Sequence, residues 1–460
     1  MGIDAQYIAE VMEYKPAPGQ FTNSMPWGCP VSAHSLVGGV NGRLSLGAFG
    51  GYVIFRFKQA VENHEDNPYG VDFTIFGNPT NEWSEPGVVW VMKDLNENGL
   101  PDDPWYELAG SDYYFSSTRK QYQLSYTNPG GSEAANVPWS DELGNTGIIR
   151  ANSAHTQPYY PLNDSFPDVA AASYTLGGTL IQGSVDVDHP PFITSCRRAF
   201  GYADNQVRGS GSHLEPDNPY TPEVENSGGD AFDIAWAVDG NGNFVDLDVI
   251  DFVKVQNGLL HEGGWLGEIS TELTGAVDVA AKDGLTGNLD LLVLQDLPFE
   301  IDTGTIQLEV FLFHSGRPVD LPLIQWELSE PWAAVDENYI LSVSGQGPLT
   351  LKVSVCGDTS LQNVVSTIVN PGISGSSLTS ITRESLFELS LYPNPAGDIV
   401  RIEGTNDANL CFYNLSGKMV REVDQYQSGS EIYIHDLPPG VYLVQIAEGS
   451  LVRRLKLLKQ

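Results

Sequence analysis

In the stretch Asp94-Leu-Asn-Glu-Asn-Gly-Leu-Pro-Asp-Asp103, oxygen-bearing side chains recur at alternate positions. Asp94, Asn96 and Asn98 come first, and the carbonyl of Leu100 and the adjacent carboxylates of Asp102 and Asp103 follow. A hard cation such as calcium takes about 6 to 8 oxygen ligands at about 2.3 to 2.6 Å, and this loop has the density of donors to supply them. Gly99 permits the sharp turn that would bring the two halves together. A second stretch, Asp239-Gly-Asn-Gly-Asn243, repeats the alternation through Asn241, with the carbonyl of Val245 and the carboxylates of Asp246 and Asp248 within reach. Calcium is the cofactor these residues imply. The same residue types also build polar turns that need no ion, and an Asn-Gly hairpin accounts equally well for Gly240 to Asn243.

Strands must hold these loops. Val88, Val89, Trp90 and Val91 precede the first and Trp105-Tyr-Glu-Leu108 follows it, while the second runs into Val249-Ile-Asp-Phe-Val-Lys-Val255. Spacing in the first loop matches the EF-hand through position 9. Position 12, however, is Trp105 rather than a bidentate Glu, and no flanking helices are expected. The loop resembles instead the short calcium repeats of extracellular proteins, in which adjacent acids close the shell. Gly51-Tyr-Val-Ile-Phe-Arg-Phe57 is a further expected strand, with Tyr52, Ile54 and Arg56 on one face and Val53, Phe55 and Phe57 on the other.

The 48 Gly and 29 Pro of this 460-residue chain punctuate many short runs rich in Val, Ile, Tyr and Phe. No stretch sustains a helical apolar period, so the fold class is all-β. A formal net charge of -36 disfavours nucleic acid and an anionic membrane surface as partners. Nothing approaches the roughly 18 apolar residues of a transmembrane span. Met1-Gly-Ile-Asp-Ala-Gln lacks the charged and apolar regions of a leader, which implies one removed or never included. Four cysteines make no disulfide scaffold. Cys29 and Cys196 fall in one expected domain and are the one pair that could bridge, whereas Cys356 and Cys411 are expected as separate thiols.

Three domains are expected. Residues 1–294 form the first, a large sandwich whose phrases Glu13-Tyr-Lys-Pro-Ala-Pro-Gly-Gln-Phe21, Ser84-Glu-Pro-Gly87 and Trp105-Tyr-Glu-Leu108 resemble jelly-roll-like calcium-bearing domains of secreted bacterial surface proteins. Its tyrosines Tyr113, Tyr114, Tyr122, Tyr126, Tyr159 and Tyr160 read as rings packed at sheet edges, or alternatively as a platform for a sugar or flat cofactor. Residues 295–369 resemble a bacterial immunoglobulin-like module of group 2, in which Trp326, Ser329, Pro331, Val335 and Asp336 match the pattern. That resemblance implies a small Ig-like sandwich acting as a spacer. A Ser/Thr/Gly-rich linker, 370–386, follows.

The last segment, 387–460, carries Leu391-Tyr-Pro-Asn-Pro-Ala396, Val400-Arg-Ile402, Phe412-Tyr-Asn-Leu-Ser-Gly-Lys-Met-Val420, Leu437-Pro-Pro-Gly-Val-Tyr-Leu-Val444 and Arg453-Arg-Leu-Lys456. In that order they resemble the type A sorting domain of the type IX secretion system. The resemblance implies a second small Ig-like sandwich of seven short strands and partnership with the type IX machinery. It also implies delivery to the outside of the outer membrane or beyond, where a small cofactor bound by the protein would pass to an outer-membrane receptor as a second partner. Pro393 and Pro395 should open its first strand, Asn414 to Gly417 should turn a hairpin and Pro439-Gly440 should turn the chain again. Arg453, Arg454, Lys456 and Lys459 read as a cationic tip, or as a solvated strand end.

No Gly-x-Ser-x-Gly, His-Glu-x-x-His, Cys-x-x-Cys or Walker motif occurs, and His155, His189, His213 and His261 stand singly. The function expected is that of a secreted, calcium-stabilised binding protein for a glycan, a small cofactor or a protein, without catalysis. The alternative is a carbohydrate-active hydrolase with acids in the first domain, since two carboxylates about 5 to 10 Å apart suffice for that chemistry. A pocket holding two carboxylates beside aromatics would favour it.

Overall fold

The computed structural model describes residues 5–162, 164–183, 185–186, 194–280, 287–370, 390–393, 396–403, 406–414, 419–438, 440–448 and 451–459. Nearly all regular structure in it is strand, with one four-residue α-helix, Pro30–Ala33, and short 3-10 turns. Among the described residues no helix is long and apolar enough to cross a membrane. Two compact units divide the chain. The first comprises Met1–Asp186 and Thr194–Gly372, and the second Val187–Ile193 and Ile373–Gln460.

The first unit is built on a six-stranded antiparallel sheet. Its strands are β1 (Ile8–Lys15), β2 (Tyr52–Phe57), β3 (Gly87–Met92), β4 (Tyr106–Leu108), β7 (Ala237–Val238) and β8 (Phe252–Asn257), in the order β1-β2-β8-β3-β4-β7. Alternation decides which face each residue serves. Val53, Phe55 and Phe57 of β2, Val89 and Val91 of β3, and Val253 and Val255 of β8 enter the main core with Trp236, Phe73 and Phe232. Tyr52, Ile54 and Arg56 stand on the opposite face.

Over part of that opposite face lies a second sheet, formed by Thr146–Ile149, Val137–Asp141, β5 (Arg119–Thr127) and β6 (Ser173–Leu180). Its contact residues are Tyr122, Leu124, Tyr126, Tyr174 and Leu176, packed with Phe49, Tyr159 and Tyr160. Of the tyrosines expected at sheet edges, Tyr122, Tyr126, Tyr159 and Tyr160 are therefore core residues, and they offer no open platform. Buried phenols need partners, and they find backbone: Tyr126 donates to Phe49 O at 2.8 Å and Tyr160 to Ala170 O at 2.6 Å.

A second small sandwich completes the unit, with Gly347–Val355 between Asp358–Asn370 and Ile324–Leu328, and with Asp290–Leu294 paired to Val310–His314. Trp326 leans on its core, and Asp336 caps a turn by accepting from Asn338 N and Ile340 N at 2.9 Å each. This sandwich is joined to the first by shared core. Phe313 contacts Phe200, the Trp236 indole N–H donates to Ser315 O at 3.1 Å, and Arg198 bridges Asp112 and Asp296. A spacer held only by its chain ends would make no such contacts.

The second unit has seven strands among its described residues, in sheets Ser390–Tyr392/Ile399–Glu403/Ile432–Tyr433 and Met419–Gln427/Asn406–Asn414/Gly440–Glu448/Leu451–Lys459. Leu410, Phe412, Val444 and Ile446 anchor its core. Lys459 departs from the expected cationic tip: it is buried and ion-paired to Asp398 at 3.6 Å. The side chains of Arg453, Arg454 and Lys456, residues 371–386 of the expected linker, Pro395, Pro439 and the turn residues 415–417 lie outside the described residues. None of the four cysteines forms a disulfide, so Cys29 and Cys196 do not bridge.

Candidate metal centre

Both Asp/Asn-rich loops emerge at the same end of the six-stranded sheet. Met92, at the end of β3, pairs with Phe252, at the start of β8, and Val238 of β7 pairs with Glu107 of β4. The first loop therefore closes β3 onto β4, and the second leaves β7 beside it.

In the first loop every predicted side chain turns inward. Asp94 accepts from Asn98 N at 3.1 Å and Gly99 N at 2.7 Å, and Asn98 Oδ1 accepts from Leu100 N at 2.7 Å. Asn96 Oδ1 accepts from Asn98 N at 3.0 Å. Asp103 Oδ2 accepts from Leu95 N at 2.9 Å, and the Asn96 and Asn98 amides donate to Asp102 at 3.0 Å. Those two amides hold the Asp102 carboxyl below its ordinary pKa. Gly99 at φ 73° and Glu97 at φ 56° make the turn that allows this convergence. The stem is fixed from outside, because Asp251 accepts the Asp94 N–H at 2.7 Å. The Asn96 and Asn98 oxygens are each held by a backbone N–H and keep a second lone pair, which suits a loop that gathers round a hard cation.

The second loop is a hydrogen-bonded turn. Asp239 N donates to Asn243 O at 2.9 Å, Gly242 N to Asp239 O at 2.9 Å, and Val238 bridges Phe244. Asp239 Oδ1 accepts from Asn241 N and Asn243 N at 2.8 and 2.9 Å, and these bonds depress its pKa. Val245 N returns to Ala237 O, Asp246 is exposed, and Asp248 is engaged by Lys93 at 2.5 Å. Asp239, Asn241 and Asn243 are thus brought together, whereas Asp248 is occupied at the stem of the first loop.

A third constellation carries no local sequence signal. Glu85, Asp204 and Glu272 are buried, and one carboxylate oxygen from each lies within 4.8 Å of the others; among the described residues this is the one group of three or more His, Cys, Asp or Glu so placed. Glu85 stands just before β3, Asp204 sits in a loop at φ 57°, and Glu272 belongs to the short strand Glu272–Leu273 paired with Leu44–Ser45. Asp204 accepts from Asn78 N at 2.9 Å and Glu272 N at 2.7 Å, Glu272 from the Asn78 amide at 3.1 Å, and Glu85 from Ser270 N at 3.1 Å. Burial raises the pKa of Glu85 and of Asp204 well above the carboxylate range, the nearby Glu272 adds to both shifts, and Glu272 itself stands at about 7. Such a group holds protons at neutral pH, or a hard cation in their place. Residue spacing could not have shown it, since the three acids come from separate segments.

A family model described as a secretion system C-terminal sorting domain matches residues 390–460. No curated protein matches the chain. Similar solved structures include the D00-D0 domain of Intimin, at 11% identity over 36% of this chain and 96% of that one, with a TM-score of 0.14. The S-layer protein rSbsC(31-844) is 9% identical over 90% of this chain and 53% of its own, at 0.16. PorZ, a bacterial surface component of the type-IX secretion system of Porphyromonas gingivalis, is 10% identical over 89% and 43%, at 0.15. Similarities of that size carry no argument about function. The sorting tail does: it marks the chain as type IX secretion cargo, delivered to the cell surface or the extracellular space.

Proposed function

We propose that this protein is a calcium-stabilised binding protein of the cell exterior, capturing a glycan, a small cofactor or a protein, with a jelly-roll-like first domain as its binding part. The observation that carries the calcium reading is the inward convergence of Asp94, Asn96, Asn98, Asp102 and Asp103 on a stem clamped by Asp251. Extracellular calcium at millimolar levels suits a module with a Kd of roughly 10⁻⁴ to 10⁻³ M. The second loop is a weaker site in this reading, because its Asp248 is already paired with Lys93. Calorimetric titration of metal-free protein with calcium tests the proposal: heat from a site of that affinity supports it, and none at 10 mM ends it.

One cavity favours the hydrolase alternative. About 200 Å³ in volume, it is lined by Glu13 and Asp168 beside Tyr14 and Phe166. Its size falls below the roughly 300 to 1,000 Å³ of ligand pockets, which is why binding elsewhere is preferred. Asp168 is also exposed at the rim of this cavity. Hydrolysis of a glycan panel by the wild type, lost in Glu13→Gln and Asp168→Asn, would reverse the preference.

A further inference from the structure

Lys254 is the unexplained charge of the six-stranded sheet. It lies on β8, in the interior of the sheet, and points away from the main core. Strand register sets a row across that outer face: Glu13 on β1, Ile54 on β2, Lys254 on β8, Trp90 on β3 and Glu107 on β4. Strands spaced about 4.8 Å apart place each glutamate's backbone two strands, roughly 10 Å, from that of Lys254. Among the described residues the ammonium accordingly has no hydrogen bond and no ion pair within 4.0 Å, and it sits instead 4.6 Å from the Tyr52 ring centre and 5.7 Å from that of Trp90.

Both flanking acids are already engaged. Tyr52 donates to Glu13 Oε1 at 2.6 Å, and Thr179 to Glu107 Oε2 at 2.6 Å. Glu107 is buried against Thr179 of β6, but Glu13, Tyr52, Lys254 and Trp90 are each half-buried and keep contact with solvent. Met12 and Trp105, packed on Ile54, Met92 and Phe252, extend the apolar surface towards the first loop. That loop borders the strip, since a Cβ on Gly99 would stand 3.8 Å from the Arg56 guanidinium.

A half-desolvated cation without a counter-charge is costly, and the cost is recovered when a ligand brings the anion. The parts of the Tyr52 and Trp90 rings that remain exposed beside it can meet a sugar, and Glu13 can accept from a sugar hydroxyl. We propose that this strip binds a carboxylate-bearing saccharide, with the carboxylate on Lys254 and a sugar ring against Tyr52 and Trp90. The proposal rests on the binding reading above but not on its calcium site. The protein's overall negative charge does not forbid it, because charges beyond about 8 Å are largely screened at physiological salt.

Burial lowers the Lys254 pKa to about 8, partly offset by Glu13 and Glu107. The charged and titratable groups around it are Glu13 from β1, Tyr52 from β2 and Glu107 from β4, with Lys120 of β5 beyond Glu107. Affinity for the acidic saccharide should therefore fall as pH rises through about 8.

The experiment is calorimetry on the full chain with trigalacturonate, its neutral counterpart galactotriose, and acetate at matched ionic strength. Expected is binding of trigalacturonate, at least about tenfold weaker binding of the other two, and a loss of about tenfold or more for trigalacturonate in Lys254→Met. Lys254→Arg should keep part of the affinity, and Trp90→Ala should lose it. Near-UV circular dichroism checks that Lys254→Met, which retains the apolar stem, is folded. Equal affinity for the neutral sugar, equal affinity for acetate, binding unaffected by Lys254→Met, or no binding at millimolar trigalacturonate would each overturn the inference. A different ligand whose binding survives Lys254→Met would leave the broader binding reading standing without it.

Discussion

Lys93 and Asp248 tie the stems of the two Asp/Asn-rich loops together: the lysine nitrogen lies 2.5 Å from Asp248 Oδ1. One predicted ligand of the second loop thereby serves the first, next to the point where Asp251 holds the Asp94 N–H. The two loops are consequently unequal. Asp94→Ala with Asp102→Ala should abolish most of the calcium-dependent rise in melting temperature, and Asp239→Ala should remove less. With a Kd of about 10⁻⁴ to 10⁻³ M, 10 mM calcium stabilises by roughly 1.4 to 2.7 kcal/mol, a shift of a few degrees. Differential scanning calorimetry with and without chelator measures it, and a rise undiminished in the double variant would exclude the first loop.

Deletion of residues 387–460 should strand the protein in the periplasm. The test uses a host with a type IX system and a fusion to a periplasmic export signal, because the sorting domain is read after export across the inner membrane. Fractionation and surface proteolysis report the outcome. Truncated protein at the cell surface would contradict the role of the tail matched at 390–460.

What was legible in the sequence was local. The Asp94–Asp103 alternation, the two faces of Tyr52–Phe57 and the sorting-domain phrases each occupy one short window, so residue spacing alone carries them. Glu85, Asp204 and Glu272 meet only because β3, the Asp204 loop and the strand at Glu272 converge, and a sequence records no such distance. Lys254 lay inside a stretch read correctly as a strand, but its isolation from Glu13 and Glu107 follows from sheet order. The tyrosines misled for a related reason. Tyr122 and Tyr126 sit among polar residues, since the outward positions of β5 are solvated, while their own rings face a second core.

The contact between the two sandwiches of the first unit rests on a close approach at Gly316. Its φ is 72°, and a Cβ there would lie 2.1 Å from the Trp236 indole nitrogen, whose N–H bonds to Ser315 O. Gly316→Ala should cost about 1 to 3 kcal/mol through the strained backbone and the displaced indole. Urea denaturation followed by tryptophan fluorescence should show a lower midpoint. An unchanged midpoint would mean that the two sandwiches do not share the packing described.

Buried acids give the first unit an unusual pH dependence. Asp72, Glu107 and Glu272 stand at about 7, and Asp230, Asp233 and Glu268 at about 8, in every case chiefly because burial disfavours the charged form. In the unfolded chain such groups titrate near 4. Between about pH 4 and 8 the native state therefore binds more protons than the unfolded state, and stability falls as pH rises. The stabilisation is complete below the unfolded values and is lost as pH passes the folded ones. The melting temperature of metal-free protein should accordingly drop by several degrees from pH 5 to pH 8.5. Glu272→Gln cannot ionise and should flatten that slope, most clearly above pH 7, where Glu272 would otherwise become charged beside Glu85 and Asp204. Calcium that protects wild type at pH 8.5, but protects neither Glu272→Gln nor Asp204→Asn, would locate the ion at the buried acids instead of the loop. A melting temperature that rises with pH over this range would show that these carboxyls are ionised in the folded protein.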